Sequence, residues 1–297
     1  MTDSGVVYDL GYKPYEGDKR GRRGAVATTY RDGNYRVLGI KRRARKKILP
    51  WALAAFVMVP AVVFVGFAFL LSTFAPEADS PFGSHADYFE LTGTIVLLFV
   101  ALAAPELLIP DRREGVLSIY SSRPLLPDDY VLARFGSLLT VAAGFMLIPQ
   151  VLMYFGFAAL DADGFFSALW SNGGAIPRIL AATAVYAIAY TPLALLIATV
   201  ANRKSAATGV YLGTLLIGTI LSAALVEATT MPGRRYTAML AFGELPTHVN
   251  DWIWGTSSSE PTPMAMAGFD AWVSLLVIGA VAVIATLIVV WRYRRLL

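Results

Sequence analysis

The sequence predicts an all-α, polytopic membrane protein with six transmembrane helices, a cytosolic N-terminal amphipathic helix, and a short cytosolic helix between spans two and three. Three observations lead there. Of 297 residues, 56% are hydrophobic and 15% charged, against about 25% charged in an ordinary soluble domain, and the mean hydropathy is +0.57. The apolar residues come in six blocks, each long enough for the roughly 20 residues a helix needs to cross a hydrocarbon core about 30 Å thick. All but three of the 25 Lys and Arg fall at one end of those blocks.

The blocks run over 48–74, 89–109, 130–160, 176–201, 206–229 and 269–291, so the chain divides into an N-terminal segment, 1–47, and a transmembrane domain, 48–297. Continuous apolar runs exclude a membrane barrel, whose strands would alternate. No cleavable signal peptide is expected, because the first apolar block follows 47 largely polar residues. Only Arg178, Arg234 and Arg235 lie on one side of the spans. Basic residues are retained in the cytosol, so both termini are expected inside. This layout implies anionic lipid as a partner of the inner face and no nucleic acid.

The chain has no cysteine, so disulfides and thiol chemistry are excluded. Its only histidines, His85 and His248, fall on outer loops, and neither a His-Glu-x-x-His zinc motif nor a Gly-x-Ser-x-Gly nucleophile elbow occurs. Gly11 and Gly17 are not followed by Gly-Lys-Ser/Thr, so no phosphate loop is expected. Asp161-Ala162-Asp163-Gly164 has the start of a calcium loop but not the remaining ligands, and reads as a turn. The chain is therefore not expected to be an enzyme, and no cofactor or metal site is assigned to it.

From Ala25, Val26, Tyr30, Val37, Leu38 and Ile40 recur amid Arg31, Arg36, Lys41, Arg42, Arg43 and further basic residues. That mixture suits a helix along the inner leaflet, at about 1 kcal/mol per basic residue near anionic lipid. Pro60, Pro105, Pro149 and Pro192 fall inside spans one to four, where each frees a backbone carbonyl and predicts a kink, either a packing feature or a gating hinge. Glu106 lies inside span two near its inner end, about a turn from Asp111 and Arg112. An intramembrane acid is a functional candidate, and an interfacial position is the alternative. Gly209 and Gly213 give span five a Gly-x-x-x-Gly face suited to a subunit contact or to packing within the chain. The long outer loop, with Tyr236, Phe242, Trp252 and Trp254, predicts short interfacial or re-entrant helices.

The loop from Pro110 to Tyr130 carries the functional signal. Val116, Leu117, Ile119 and Tyr120 sit at helical spacing, giving a short helix one apolar face, while Arg113, Glu114 and Ser118 look elsewhere and Pro124 and Pro127 end it. Such a helix between two spans fits a groove on another protein or lies on lipid headgroups.

Residues Arg113-Glu114-Gly115-Val116-Leu117-Ser118-Ile119-Tyr120-Ser121-Ser122-Arg123-Pro124-Leu125, followed by Tyr130-Val131-Leu132-Ala133-Arg134, resemble the first cytosolic loop of ABC-2 type permeases, and the N-terminal arm is similar to actinobacterial members. Val116 stands where that family usually has Thr, and Arg134 where it has Lys. The resemblance implies a subunit of an ATP-driven exporter in a bacterial plasma membrane, paired with an identical or homologous permease and seated on two copies of an ABC ATPase subunit that bind ATP and Mg. It makes 114–122 the coupling helix, with Arg113, Glu114, Gly115, Val116, Leu117, Ile119, Tyr120 and Arg123 meeting the ATPase. It makes the segment with Tyr30, Arg36, Leu38, Arg42 and Arg43 the elbow helix. The solute it implies is amphipathic, drug-like or lipid-like. Two other classes stay open: a non-transporting membrane scaffold or assembly protein, and an ion-coupled carrier, which the scarcity of ionisable groups in the spans disfavours.

Overall fold

The computed structural model describes residues 21–40, 45–75, 83–121, 124–228, 233–257 and 260–296, and these form helices with no strand. The helices are α1 (Gly21–Val37), α2 (Arg45–Phe74), α3 (His85–Arg113), α4 (Leu117–Ser121), α5 (Pro127–Leu160), α6 (Phe165–Ser171), α7 (Ala175–Val200), α8 (Lys204–Ala228), α9 (Leu245–Trp254), α10 (Pro263–Met266) and α11 (Ala271–Arg294). A 3-10 helix, Arg234–Leu240, precedes α9. Six of them, α2, α3, α5, α7, α8 and α11, are long and apolar enough to cross a membrane.

Burial sorts the six into two shells. In their most apolar stretches α3, α7 and α5 are 67%, 61% and 50% buried, whereas α2, α8 and α11 are 11%, 22% and 22% buried. The first three make the core, and the others expose apolar faces of the kind lipid covers. Within the core Phe99 stacks on Phe145 with ring centroids 4.0 Å apart, and Phe89 on Tyr186 at 5.8 Å. Buried and half-buried hydroxyls bind the shells together. Tyr88 donates to the Val57 carbonyl of α2 at 3.1 Å, Thr208 of α8 to Ala101 O at 2.9 Å, and Tyr211 to Tyr190 O at 3.2 Å.

The span ends extend a turn beyond the apolar blocks where local chemistry continues the helix. At α3, Ser84 Oγ accepts from the Asp87 amide at 3.1 Å and Asp87 Oδ2 accepts from the Ser84 amide at 3.0 Å, a capping box that starts the helix at His85 instead of Phe89. Its far end runs through Pro110 to Arg113. Pro127 opens α5, and Asp128 and Asp129 in its first turn complement the helix dipole. Pro60, Pro105, Pro149 and Pro192 lie inside α2, α3, α5 and α7, each helix continuing past its proline.

The segment ahead of the first span holds one described helix, α1, and does not run on as helix into the span. α1 stops at Val37, Leu38 lies in the turn beyond it, and α2 opens at Arg45. Arg42 and Arg43 fall outside the described residues, as do the arm before Gly21 and Arg123. α1 packs along α5 and α3 through Thr29, Gly33 and Val37, all buried. Between α8 and α11, α9 buries Leu245, His248 and Val249 against α7, α11 and α3 and turns Trp252 outward. This segment thus caps one end of the bundle. Asp161 forms an Asx turn, its Oδ1 accepting from the Asp163 amide at 3.0 Å.

Candidate functional site

Where α3 ends, α4 hangs and α5 begins, two arginines and two aspartates meet under the short helix. The Asp111 carboxylate, in the last turn of α3 and 1% exposed, accepts from Arg36 Nη1 at 2.5 Å, from Arg134 Nη2 at 2.8 Å and from the Tyr130 hydroxyl at 2.8 Å. Arg134 is wholly buried. Its Nη1 donates to Asp32 Oδ2 at 2.9 Å, and its Nη2 also donates to the Tyr120 hydroxyl at 3.1 Å. Arg36 Nε closes the ring on Asp32 at 2.8 Å. Two positive and two negative groups balance here, Arg134 and Asp111 buried and Asp32 reaching the surface, so that neither buried charge is left without a partner.

The backbone explains why these groups converge. Seven residues into α5, Arg134 is carried about two turns inward, against α1. The small residues of α1 let it approach: Gly33 faces Ser137 so closely that an added Cβ would lie 2.7 Å from the Ser137 Cβ. Tyr30 crosses to Thr140, donating its hydroxyl at 2.9 Å. At the end of α3, Gly115 takes φ +67°, and the Val116 amide donates back to Asp111 O at 3.1 Å, the long bond of a Schellman turn. Gly115 is thereby the residue that lets the chain leave α3 and enter α4. The neighbouring Arg112 turns to α7 and donates to the carbonyls of Ala198 (3.2 Å), Thr199 and Ala201, satisfying the C-terminal groups of that helix.

Electrostatics follow from this packing. Burial and the neighbouring Arg134 act to lower the Arg36 pKa, but the bonds to Asp111 and the fields of Asp111 and Asp32 outweigh them and raise it. Burial pushes the Tyr120 phenol up, with Arg134 opposing. Both groups keep their neutral-pH forms, guanidinium and phenol.

The loop residues divide differently from the sequence expectation. The helix between spans two and three is α4, Leu117–Ser121, and Arg113 belongs to the last turn of α3. Its apolar face turns inward: Leu117 is 8% exposed and joins the core, and Tyr120 is half-buried under Arg134. Val116 is half-buried, while Arg113, Glu114, Gly115 and Ile119 form the exposed surface. The predicted elbow residues are likewise tied into the bundle. Tyr30 bonds α5, Arg36 joins the charge cluster, and Leu38 packs on the core. Among the described residues no heavy atom lies within 4 Å of a Cβ added at Gly209 or Gly213, so no neighbouring helix packs directly on either position.

Sequence reasoning assigned no role to Asp32, Asp111 or Tyr130 and used Arg134 only as part of the resemblance, where it replaces the usual Lys. The signal was present: an arginine inside span three needs a carboxylate at similar depth, and Asp111, just past the end of span two, was available. Glu106, the acid placed inside span two, pairs with Lys204 of α8 at 2.7 Å. Among the described residues, no three His, Asp or Glu come together as a metal site.

Beside the cluster a cleft of about 580 Å3 opens between α2, α3 and α8, lined by Leu53, Phe99 and Gly209 and, toward its charged end, by Glu106, Lys204 and Arg36. Arg36 is common to the cleft and the cluster. In comparisons with known proteins, no family model matches the chain and no curated protein matches it in sequence.

Proposed function

We propose that this chain is the membrane-spanning permease subunit of an ATP-driven exporter of the ABC-2 type, with α4 as its coupling helix and α1 as its elbow helix. The observation that carries this reading is the continuous polar path Tyr120–Arg134–Asp111–Arg36. It joins a short helix at the surface to the wall of a side cleft through bonds of 3.1, 2.8 and 2.5 Å. Force applied at α4 is transmitted to α1, α3 and α5 by groups too costly to separate, since a buried charge cannot be left without its partner. The Glu114-Gly115 pair and the loop after it support the family reading, and the distribution of basic residues supports a cytosolic position for α4.

In this mechanism a separate ATPase subunit binds ATP and Mg, and its closure pushes on Arg113, Glu114 and Ile119. The charge cluster moves with α4 as one body, and the helices bordering the cleft shift so that an amphipathic solute leaves on the far side. A second permease copy faces the first, and two ATPase subunits sit beneath them. The apolar walls and mixed charges of the cleft suit an amphipathic solute.

Copurification and reconstitution test the reading. The partner is expected to carry Gly-x-x-x-x-Gly-Lys-Ser/Thr, and transport is expected only with that partner and ATP. Because Leu117 is in the core, Leu117→Asp disturbs folding; Ile119→Asp changes the exposed surface alone. Ile119→Asp is expected to leave the fold intact, retain ATP hydrolysis and abolish transport. Normal transport by that variant, or transport by the permease without the partner, overturns the proposal.

A further inference from the structure

The end of the molecule opposite the basic one has a cavity of about 390 Å3 that the proposed transport path does not use. Its walls include His85 at the start of α3, Tyr154 and Phe157 near the end of α5, Asn172 after α6, Arg178 in the first turn of α7 and Trp254 at the end of α9. The aromatic side is fixed from several directions. His85 Nδ1 lies 2.5 Å from Gln150 Oε1, and its ring stacks on Trp254 at 5.5 Å and meets Phe157 edge-on at 5.6 Å. Tyr154 donates to Leu169 O at 2.7 Å, which holds α6 over the end of α5.

Arg178 supplies the charge. It is exposed, sits 5.8 Å from the centre of the Trp254 ring, and forms no ion pair among the described residues, unlike Arg36 and Arg134 at the other end. It stands at the positive end of the α7 dipole. A rigid aromatic cup with one unneutralised cation at its rim selects an anion with an apolar flank, and the volume falls within the usual range of ligand pockets.

The level of the mouth points to the source of that anion. α6, which leads directly into the cavity wall at Asn172, turns Phe166 and Trp170 outward, 83% and 90% exposed. Aromatic side chains so placed at the end of a membrane span sit among lipid headgroups. We propose that this cavity binds the headgroup of an anionic phospholipid from the leaflet at that end, its phosphate paired with Arg178 and its glycerol portion laid against Phe157 and Tyr154. The site is independent of the transport reading, since it needs neither the ATPase nor the cleft.

The test is photo-crosslinking of the full chain in nanodiscs with a diazirine-bearing phosphatidylglycerol, the labelled peptides being mapped by mass spectrometry. Label is expected on the peptides carrying Tyr154, Phe157 and Arg178, falling about tenfold in Arg178→Gln and largely restored in Arg178→Lys. Labelling at the basic end stays unchanged in both variants and reports an intact fold. A phosphatidylcholine probe is expected to label the cavity peptides weakly, and millimolar inorganic phosphate to leave the phosphatidylglycerol label in place. Equal labelling by the two lipids, or undiminished labelling in Arg178→Gln, overturns the site. Displacement by inorganic phosphate assigns it to a free anion and overturns the lipid.

Discussion

Arg134 Nη2 donates to Asp111 Oδ2 over 2.8 Å, and with side chains 0% and 2% exposed neither group has water as an alternative partner. Removing one member leaves the other charged and buried. Arg134→Met or Asp111→Leu is therefore expected to cost about 3–5 kcal/mol each, whereas the double variant loses much less than the sum, because two apolar side chains replace a balanced pair. Unfolding in detergent measures the cycle. Additive losses would mean that the two residues act separately, and α4 would then have no rigid connection to α1.

The close approach of α1 to α5 rests on Gly33. A methyl group there is 2.7 Å from the Ser137 Cβ, closer than such atoms come, so Gly33→Ala forces the helices apart. A loss of about 1–3 kcal/mol is expected, as for overpacked sites elsewhere. Ser137→Gly in the same chain is expected to restore most of it. Failure of that rescue in a thermal melt would place the cost in some other contact of α1.

These two sites show where sequence reading reached and where it stopped. The six spans were legible because hydrocarbon demands an apolar run of fixed length, and the ends shifted by only a few residues where Ser84 and Pro127 start helices by local chemistry. The loop helix was legible from the spacing of Leu117 and Tyr120. Its orientation was not, because periodicity says that a face is apolar but not what it meets, and here it meets Arg134 and the core. Asp111 joins Arg36 and Arg134 across sequence separations of 75 and 23 residues. Pairing over such distances is decided by how the helices pack, which no single stretch records.

Glu244 and His248, four residues apart around the start of α9, are expected to give opposite pH dependences. Burial first, then the nearby Glu90 and Glu260, raises the Glu244 pKa, so its contribution is full below the ordinary glutamate value of about 4.3 and is lost as pH rises through the folded value. Glu244→Gln is therefore expected to melt higher than the parent at pH 8 and alike at pH 4. Burial lowers the His248 pKa against the pull of Asp251 and Asp270, and Nδ1 lies 2.8 Å from Ser274 Oγ. Its contribution is present above about 6.5 and lost as pH falls through the depressed folded value. His248→Gln is expected to flatten the acid side of the melting profile. Melting temperature against pH for the three proteins separates the two effects.

On α8, Gly209 and Gly213 lie one turn apart, with Ile217 and Ile220, 66% and 70% exposed, continuing the surface. Among the described residues no heavy atom lies within 4 Å of an added Cβ at either glycine, and Gly209 borders the open cleft between α2, α3 and α8, so both positions have room for a larger side chain. Gly209→Leu with Gly213→Leu is expected to leave the stability of a single chain within about 0.5 kcal/mol of the parent. If a second permease packs on this stripe, as the exporter reading requires of some face, the same pair of substitutions fills the space that close helix contact needs and dissociates the assembly. Light scattering in detergent reads the mass and a thermal melt reads the fold. A dimer that survives both substitutions places the contact elsewhere, and the exposed faces of α2 and α11 are then the surfaces to vary.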